Sequence, residues 1–280
     1  MKVAVMTDST AYITKEIRDQ YEIHMVPLSV QFEEESYQEE IDITTTEFYR
    51  KLKESKDLPK TSQPSIGYIT KKLEALAKDY DAVISIHLSS GISGTYQAVA
   101  SAGTMVDGID VYTYDSEISC MAQGFYVLEA VEMIQKGKEP EEIFQRLDQM
   151  KESLCAYFMV DDLSNLQRGG RLNGAQAIVG SLLQVKPILH FVNKVIVPYE
   201  KIRTKKKAIN RILGLLEEDA AKGNNLKVVF IHANRKDAAI ELQSSFLEKY
   251  SEMDTSISYF GPVIGTHLGE GALGIAWYRK

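Results

Sequence analysis

Three apolar runs in the first half of the chain each end in short polar side chains and lead into a segment of helical period. Residues 3–6 run into Thr7-Asp8-Ser9, residues 82–86 into Ser89-Ser90, and residues 110–114 into Asp115-Ser116. Strands separated by helices of this length predict a parallel sheet with right-handed crossovers. The carboxyl ends of such strands share one edge, where open α/β sheets bind ligands. Asp and Ser also serve there as ordinary helix caps, so no single one of the three ends specifies a site.

The helices carry their own signals. Ser9 or Thr10 is placed to cap a helix near residues 12–21, and Thr44 with Glu47 three residues on has capping-box spacing. Ile66, Ile69, Leu73, Leu76 and Ala77 fall on one helical face, and a small-residue helix is expected near 96–104. Residues 24–32 read as extended and are followed by an acidic, exposed stretch, and "TSQPS" (61–65) reads as a loop with Ser65 capping the next helix. The second half has another rhythm. Two extended runs flank Asn193-Lys194, a hairpin signal, and they alternate with a basic helix and further strands. Residues 175–183 read as a buried helix, and residues 261–274 as a glycine-rich lead into a last strand. This predicts an α/β protein of two domains. Residues 1–150 form a mainly parallel sheet flanked by helices, with the segment near 60–78 packing toward the second half. Residues 151–280 form an α+β domain with a mixed sheet.

A net charge of −7 argues against general nucleic-acid binding. Cys120 and Cys155 stand alone, without disulfide or zinc spacing, and read as reduced thiols. No apolar run reaches membrane-span length and residues 1–10 lack a signal pattern, so the expectation is a cytoplasmic protein. There is no phosphate-loop motif, no dinucleotide fingerprint and no metal-ligand cluster, so no cofactor is expected.

The candidate site residues lie in four segments. The strand, the Ser/Gly loop 89–94 and the following helix put free backbone N–H groups beside Ser93, so Ser93 Oγ and the Gly94 N–H could together hold a carboxylate or phosphate. Thr61 and Ser62 are donors without an obvious local duty. Arg171 in "QRGGRL" suits an anion or a loop brace, and His267 in "GTHLGEG" can reach a site from tightly folded backbone. Lys201, Arg203, Lys205, Lys206, Lys207 and Arg211 form a basic run against the global charge. It is either a solvated helix face or a docking patch for an acidic partner or an anionic membrane. "GISGT" falls one glycine short of a hydrolase nucleophile elbow, which leaves an esterase built on Ser93, His267 and Asp115 as a rival reading.

Taken in order, "TDST", "TSQPS", "SSGISGTYQ", the Asp-Ser after the third strand, "RGGRL" and "GTHLGEGALG" resemble the DegV family over essentially the whole chain. The resemblance implies a bacterial protein that is not an enzyme by itself. It would be the fatty-acid-carrying subunit (FakB) of fatty acid kinase, holding a long-chain fatty acid in a tunnel. A separate ATP-dependent kinase subunit would phosphorylate its carboxylate to acyl-phosphate for phospholipid synthesis. It further implies that Ser93, Gly94 and a hydroxyl of Thr61 or Ser62 bind the carboxylate, and that Arg171 and His267 belong to the head-group network. Lys201, Arg203 and Lys205 to Lys207 would meet the kinase. A lipid-sensing regulator without a kinase is the other rival. Burial of an acyl chain gains about 0.8 kcal/mol per methylene, so a dry slot with a small donor cluster suffices. Ala175, Ala177, Ile178, Val179, Leu182, Leu183, Ile188, Leu189 and Phe191 are the candidates for its wall.

Overall fold

The computed structural model describes residues 1–172, 186–223 and 225–280; the helix expected over 175–183 lies outside them. Among the described residues the strands are β1 (Val3–Asp8), β2 (Ile23–Val26), β3 (Ser29–Phe32), β4 (Glu35–Gln38), β5 (Lys60–Ser62), β6 (Ala82–His87), β7 (Asp110–Asp115), β8 (Cys155–Met159), β9 (Ile188–Val192), β10 (Val195–Glu200), β11 (Leu226–His232), β12 (Asp254–Tyr259) and β13 (Leu273–Arg279). The helices are α1 (Lys15–Gln20), α2 (Thr45–Glu54), α3 (Ile66–Leu76), α4 (Thr95–Gly103), α5 (Met121–Gln135), α6 (Pro140–Ser153), α7 (Ser164–Arg168), α8 (Lys205–Ala220), α9 (Lys236–Leu247) and α10 (Pro262–Leu268).

The first sheet has the order β2-β1-β6-β7 and is parallel throughout, as the strand–helix alternation requires. Its two central strands are buried along almost their whole length, the mark of a sheet covered on both faces. Alternation sorts their side chains. Ala4, Met6 and Val83 pack with Ile69 and Leu73 of α3 and Val99 of α4. Val5, Ile84 and Ile86 face the other way, toward Phe125 and Tyr126 of α5 and Ile143 and Leu147 of α6.

The second sheet is mixed, in the order β10-β9-β8-β13-β11-β12, antiparallel except for β11 beside β12. The same alternation holds there. Val229, Ile231 and Ala276 join the core that contains α5 and α6. Val228, Phe230 and Trp277 pack under Ile212 and Leu216 of α8 and Phe246 of α9. The layers therefore run helix, parallel sheet, helix, mixed sheet, helix. A small antiparallel sheet, β4-β3-β5, and α10 complete the fold.

Local expectations hold where local chemistry suffices. Thr44 and Glu47 form the capping box of α2, Ser65 accepts from the Tyr68 N–H, and Asn193 and Lys194 both take positive φ in the β9–β10 turn. Five details differ. No cap comes from Ser9 or Thr10: Asp8 accepts the Thr10 N–H at a short 3-10 turn, and Ser9 Oγ donates to Glu39 instead. The acidic stretch after β3 is not exposed throughout, because Glu39 is 0% accessible. Thr61 and Ser62 lie not in a loop but in β5, paired with β3. Ile66, in the first turn of α3, is 42% exposed although Ile69 and Leu73 on its face are buried. The glycine-rich tail also contains α10, entered through Pro262 at its first position.

Candidate functional site

Two of the three polar strand ends brace the third. Asp8 Oδ2 accepts from the Leu88 N–H and from His87, while Oδ1 takes the Thr10 N–H and hydroxyl. Asp115 accepts the Ser90 N–H at 3.1 Å and the Ser90 hydroxyl at 2.5 Å. The loop after β6 is thus gripped from β1 and β7. Ser85, His87 and Asp8 form a Ser–His–Asp chain, with Ser85 Oγ 2.6 Å from His87 Nε2 and Asp8 3.0 Å from Nδ1. All three are buried, so the chain orders strand ends rather than meeting a substrate. The loop also docks on the second sheet: Ser89 Oγ donates to the Lys194 carbonyl, and Lys194 Nζ lies 2.9 Å from Asp115.

Beyond the braces the loop opens into a recess of about 680 Å³. Thr61, Ser62, Ser93, Gly94, Arg171 and His267 all line it, with Gln63, Ile92 and Ile264. Thr61 comes from β5, Ser93 and Gly94 from the entry to α4, Arg171 from the segment after α7, and His267 from α10. Thr61 Oγ1 lies 3.0 Å from His267 Nε2. Ser93 Oγ accepts the Thr95 N–H at 3.3 Å, and Gly94 is the N-cap residue, so its N–H belongs to the end of α4 that the helix itself leaves unsatisfied. A side chain at Gly94 would place Cβ 2.1 Å from Gln63 Oε1, so glycine here lets "SSGISGT" and "TSQPS" close on one another.

Arg171 is half-buried. Its Nε donates to the Ile92 carbonyl at 3.2 Å and Nη1 to the Gly169 carbonyl. Two of its five N–H donors are thereby committed to backbone, and the remaining guanidinium N–H groups keep a positive charge beside the recess. Burial, and secondarily the Arg171 charge, push His267 down to about 4, so its ring is neutral at pH 7. His267 Nδ1 is buried without a partner among the described residues, and a Cβ at Gly169 would stand 2.4 Å from it. An orphaned buried N–H is rarer than an unsatisfied acceptor, so we assign the proton to Nε2, where it donates to Thr61. The Thr61 hydroxyl hydrogen is then free for an anionic oxygen in the recess.

The recess shares Ile92, Arg171, Ile264 and His267 with a second, almost wholly apolar cavity of about 560 Å³. That cavity lies between α5, α10 and the mixed sheet, walled by residues such as Phe158, Leu166, Phe191, Ile231, Phe260 and Ala276. Phe191 stands in this wall, whereas Ile188 and Leu189 are ordinary core; Ala175, Ala177, Ile178, Val179, Leu182 and Leu183 lie outside the described residues. Cys120 in the wall is held neutral, its thiol pushed far up by burial.

Residues 2–280 match the profile of a family described as the uncharacterised proteins of the DegV family. The chain belongs to the DegV family. It is 60% identical to Protein DegV of Bacillus subtilis over the whole of both chains. Its fold matches the crystal structure of that species' DegV, described as a fatty acid binding protein, with a TM-score of 0.96 at 60% identity and full coverage of both chains. It is also similar to a fatty acid binding DegV family protein of Streptococcus agalactiae, with a TM-score of 0.92, 33% identity and coverage of 100% and 99%. A Thermus thermophilus DegV family protein described by its fatty acid binding gives a TM-score of 0.93 at 29% identity, with full coverage of both chains.

Among the described residues of this DegV-family chain the esterase arrangement is not assembled. His267 Nε2 is taken by Thr61, no described acid orients Nδ1, and Asp115 serves Ser90 and Lys194. Of the basic run, Lys201, Arg203, Lys206 and Lys207 are exposed, while Lys205 is half-buried and bonds Asp161 and the Gly271 carbonyl. Gln63, Ile92 and Ile264 were not singled out by sequence reasoning. Gln63 sits inside a quoted motif and was the one of the three with a usable signal, a polar side chain between a strand and a proline.

Proposed function

We propose that this protein binds a long-chain fatty acid, carboxylate in the recess and acyl chain in the apolar cavity, and presents the carboxylate to a separate ATP-dependent kinase. The observation that carries the binding half is the juxtaposition of a small cluster of hydroxyl and N–H donors with an apolar cavity across four shared wall residues. The fatty acid binding described for the Bacillus subtilis relative supports the same ligand class. Each buried methylene contributes about 0.8 kcal/mol, so the chain supplies most of the affinity. The head group needs only orientation. Neutral donors at Thr61, Ser62 and Ser93, with the Gly94 N–H and one partly occupied guanidinium, hold a carboxylate without saturating its oxygens. One oxygen then remains to attack the γ-phosphorus of ATP as the bond to the β-phosphate oxygen breaks and ADP leaves.

The kinase half rests on the family resemblance and on the exposed cations Lys201, Arg203, Lys206 and Lys207, which suit an acidic partner surface and, transiently, an anionic membrane. It places the protein in the cytoplasm, where ATP is available. Mass spectrometry of ligand extracted from purified protein tests the first half; recovery of no fatty acid, and no uptake of added palmitic acid, would sink it. Reversing Arg203, Lys206 and Lys207 to Glu tests the second. Fatty-acid binding is expected to survive while acyl-phosphate formation with the kinase is lost; unchanged formation makes the patch a solvated face.

A further inference from the structure

A third recess, of about 600 Å³, abuts the apolar cavity away from its mouth. It shares Ile118, Ala156, Tyr157 and Phe191 with the cavity, none of which lines the carboxylate recess. Unlike the cavity it is polar: Glu117, Tyr126, Lys151, His190 and Lys194 stand in its wall. An ordinary acyl chain ends in a methyl group and has no use for such surroundings.

Tyr126 is the telling residue. It is 0% exposed, and its hydroxyl finds no hydrogen-bond partner among the described residues. Buried polar groups are almost always paired, and one left unpaired loses its solvation without replacement. The charges around it are already compensated. Lys151 Nζ donates to the Asp115 carbonyl and to Glu117 at 3.2 Å each, and Lys194 holds the Asp115 carboxylate at 2.9 Å. Burial lowers His190, leaving a neutral ring at pH 7. The wall therefore offers neutral donors and acceptors but no spare cation for a second carboxylate. We propose that this recess is a subsite for a hydroxyl group carried near the methyl end of the fatty acid, with Tyr126 as its partner. The inference rests on the fatty-acid reading and deepens it.

The test is competition against a fluorescent fatty acid with palmitic acid, ω-hydroxypalmitic acid and a mid-chain hydroxypalmitic acid. On the wild-type protein the ω-hydroxy acid is expected to bind within about threefold of palmitic acid. The mid-chain isomer, whose hydroxyl would lie in the apolar cavity, should bind at least about tenfold more weakly. Tyr126→Phe removes only the orphan hydroxyl. It should weaken the ω-hydroxy acid about five- to tenfold and leave palmitic acid within about twofold. Equal rejection or equal acceptance of both hydroxy acids overturns the subsite, as does equal weakening of all ligands by Tyr126→Phe. Failure of palmitic acid to bind at all overturns the fatty-acid reading and this one together. If palmitic acid binds and Ser93→Ala weakens it while the ω-hydroxy acid is rejected, the subsite alone falls.

Discussion

The hydroxyl of Thr61 and the imidazole of His267 meet at 3.0 Å although 206 positions separate them in the chain. The contact joins the edge strand β5 to α10 in the wall of the recess that Ser93 also lines. Because the ring is neutral and its Nδ1 unpartnered among the described residues, the pair works as an oriented hydroxyl donor rather than as a general base.

Thr61→Val keeps the shape and removes the donor. Fatty-acid affinity is expected to fall roughly tenfold, the worth of one hydrogen bond to a charged group. Ser93→Ala should cost a similar factor. Isothermal titration with palmitic acid measures both, and affinities unchanged in both variants would remove the carboxylate from this recess.

Acid should unfold the protein partly through His267. Its folded pKa, about 4, lies below the unfolded value of about 6.5. Between these values the unfolded chain binds the extra proton, so stability rises with pH and is lost as pH falls through the window. The contribution is roughly 3 kcal/mol when complete. Urea midpoints measured from pH 7 to pH 4 should fall less steeply for His267→Gln than for the wild type.

Glu39 acts with the opposite sign. It is buried and accepts from Ser9 at 2.6 Å, Val263 N–H at 2.7 Å and Tyr12 at 2.9 Å, tying the first turns of α10 to the N-terminal half. Burial pushes its carboxyl up to about 8, against the pull of those donors. A folded pKa above the unfolded one means stability that is full below about 4.5 and is lost as pH rises through 8. The expected result is an alkaline fall in melting temperature between pH 6 and 9 that Glu39→Gln flattens. A wild-type profile level over that range would contradict it.

Filling the apolar cavity should separate binding from folding. Ala276 is buried in β13 and lines the cavity. Ala276→Leu places a larger side chain into empty space, so the overpacking cost of about 1–3 kcal/mol for a filled core should be largely avoided. Palmitic acid binding is expected to drop more than about tenfold with a melting temperature at or above the wild-type value. Full binding in this variant would mean that the chain lies elsewhere.

What the sequence determined by itself is what local chemistry and period determine. Apolar runs with helices between them dictate a parallel β1–β6–β7 array, Thr44 with Glu47 dictates a helix start, and Asn193-Lys194 dictates a turn with positive φ. The motif segments around Thr61, Ser93, Arg171 and His267 were legible as chemistry, but their meeting was not, because no local rule brings β5 to α10. Tertiary structure alone decided that Thr61 lies in a strand, since edge pairing with β3 supplies the backbone partners a loop would lack. It decided that the glycine-rich tail contains a helix, since burial against β3, β5, α2 and α7 outweighs weak helix propensity. It turned Ser9 from a cap into a donor and made Glu39 a buried carboxyl, since three donors from distant segments converge there. The cavity is the strongest case. Empty space belongs to no residue and exists only where the mixed sheet, α5 and α10 fail to fill the volume between them.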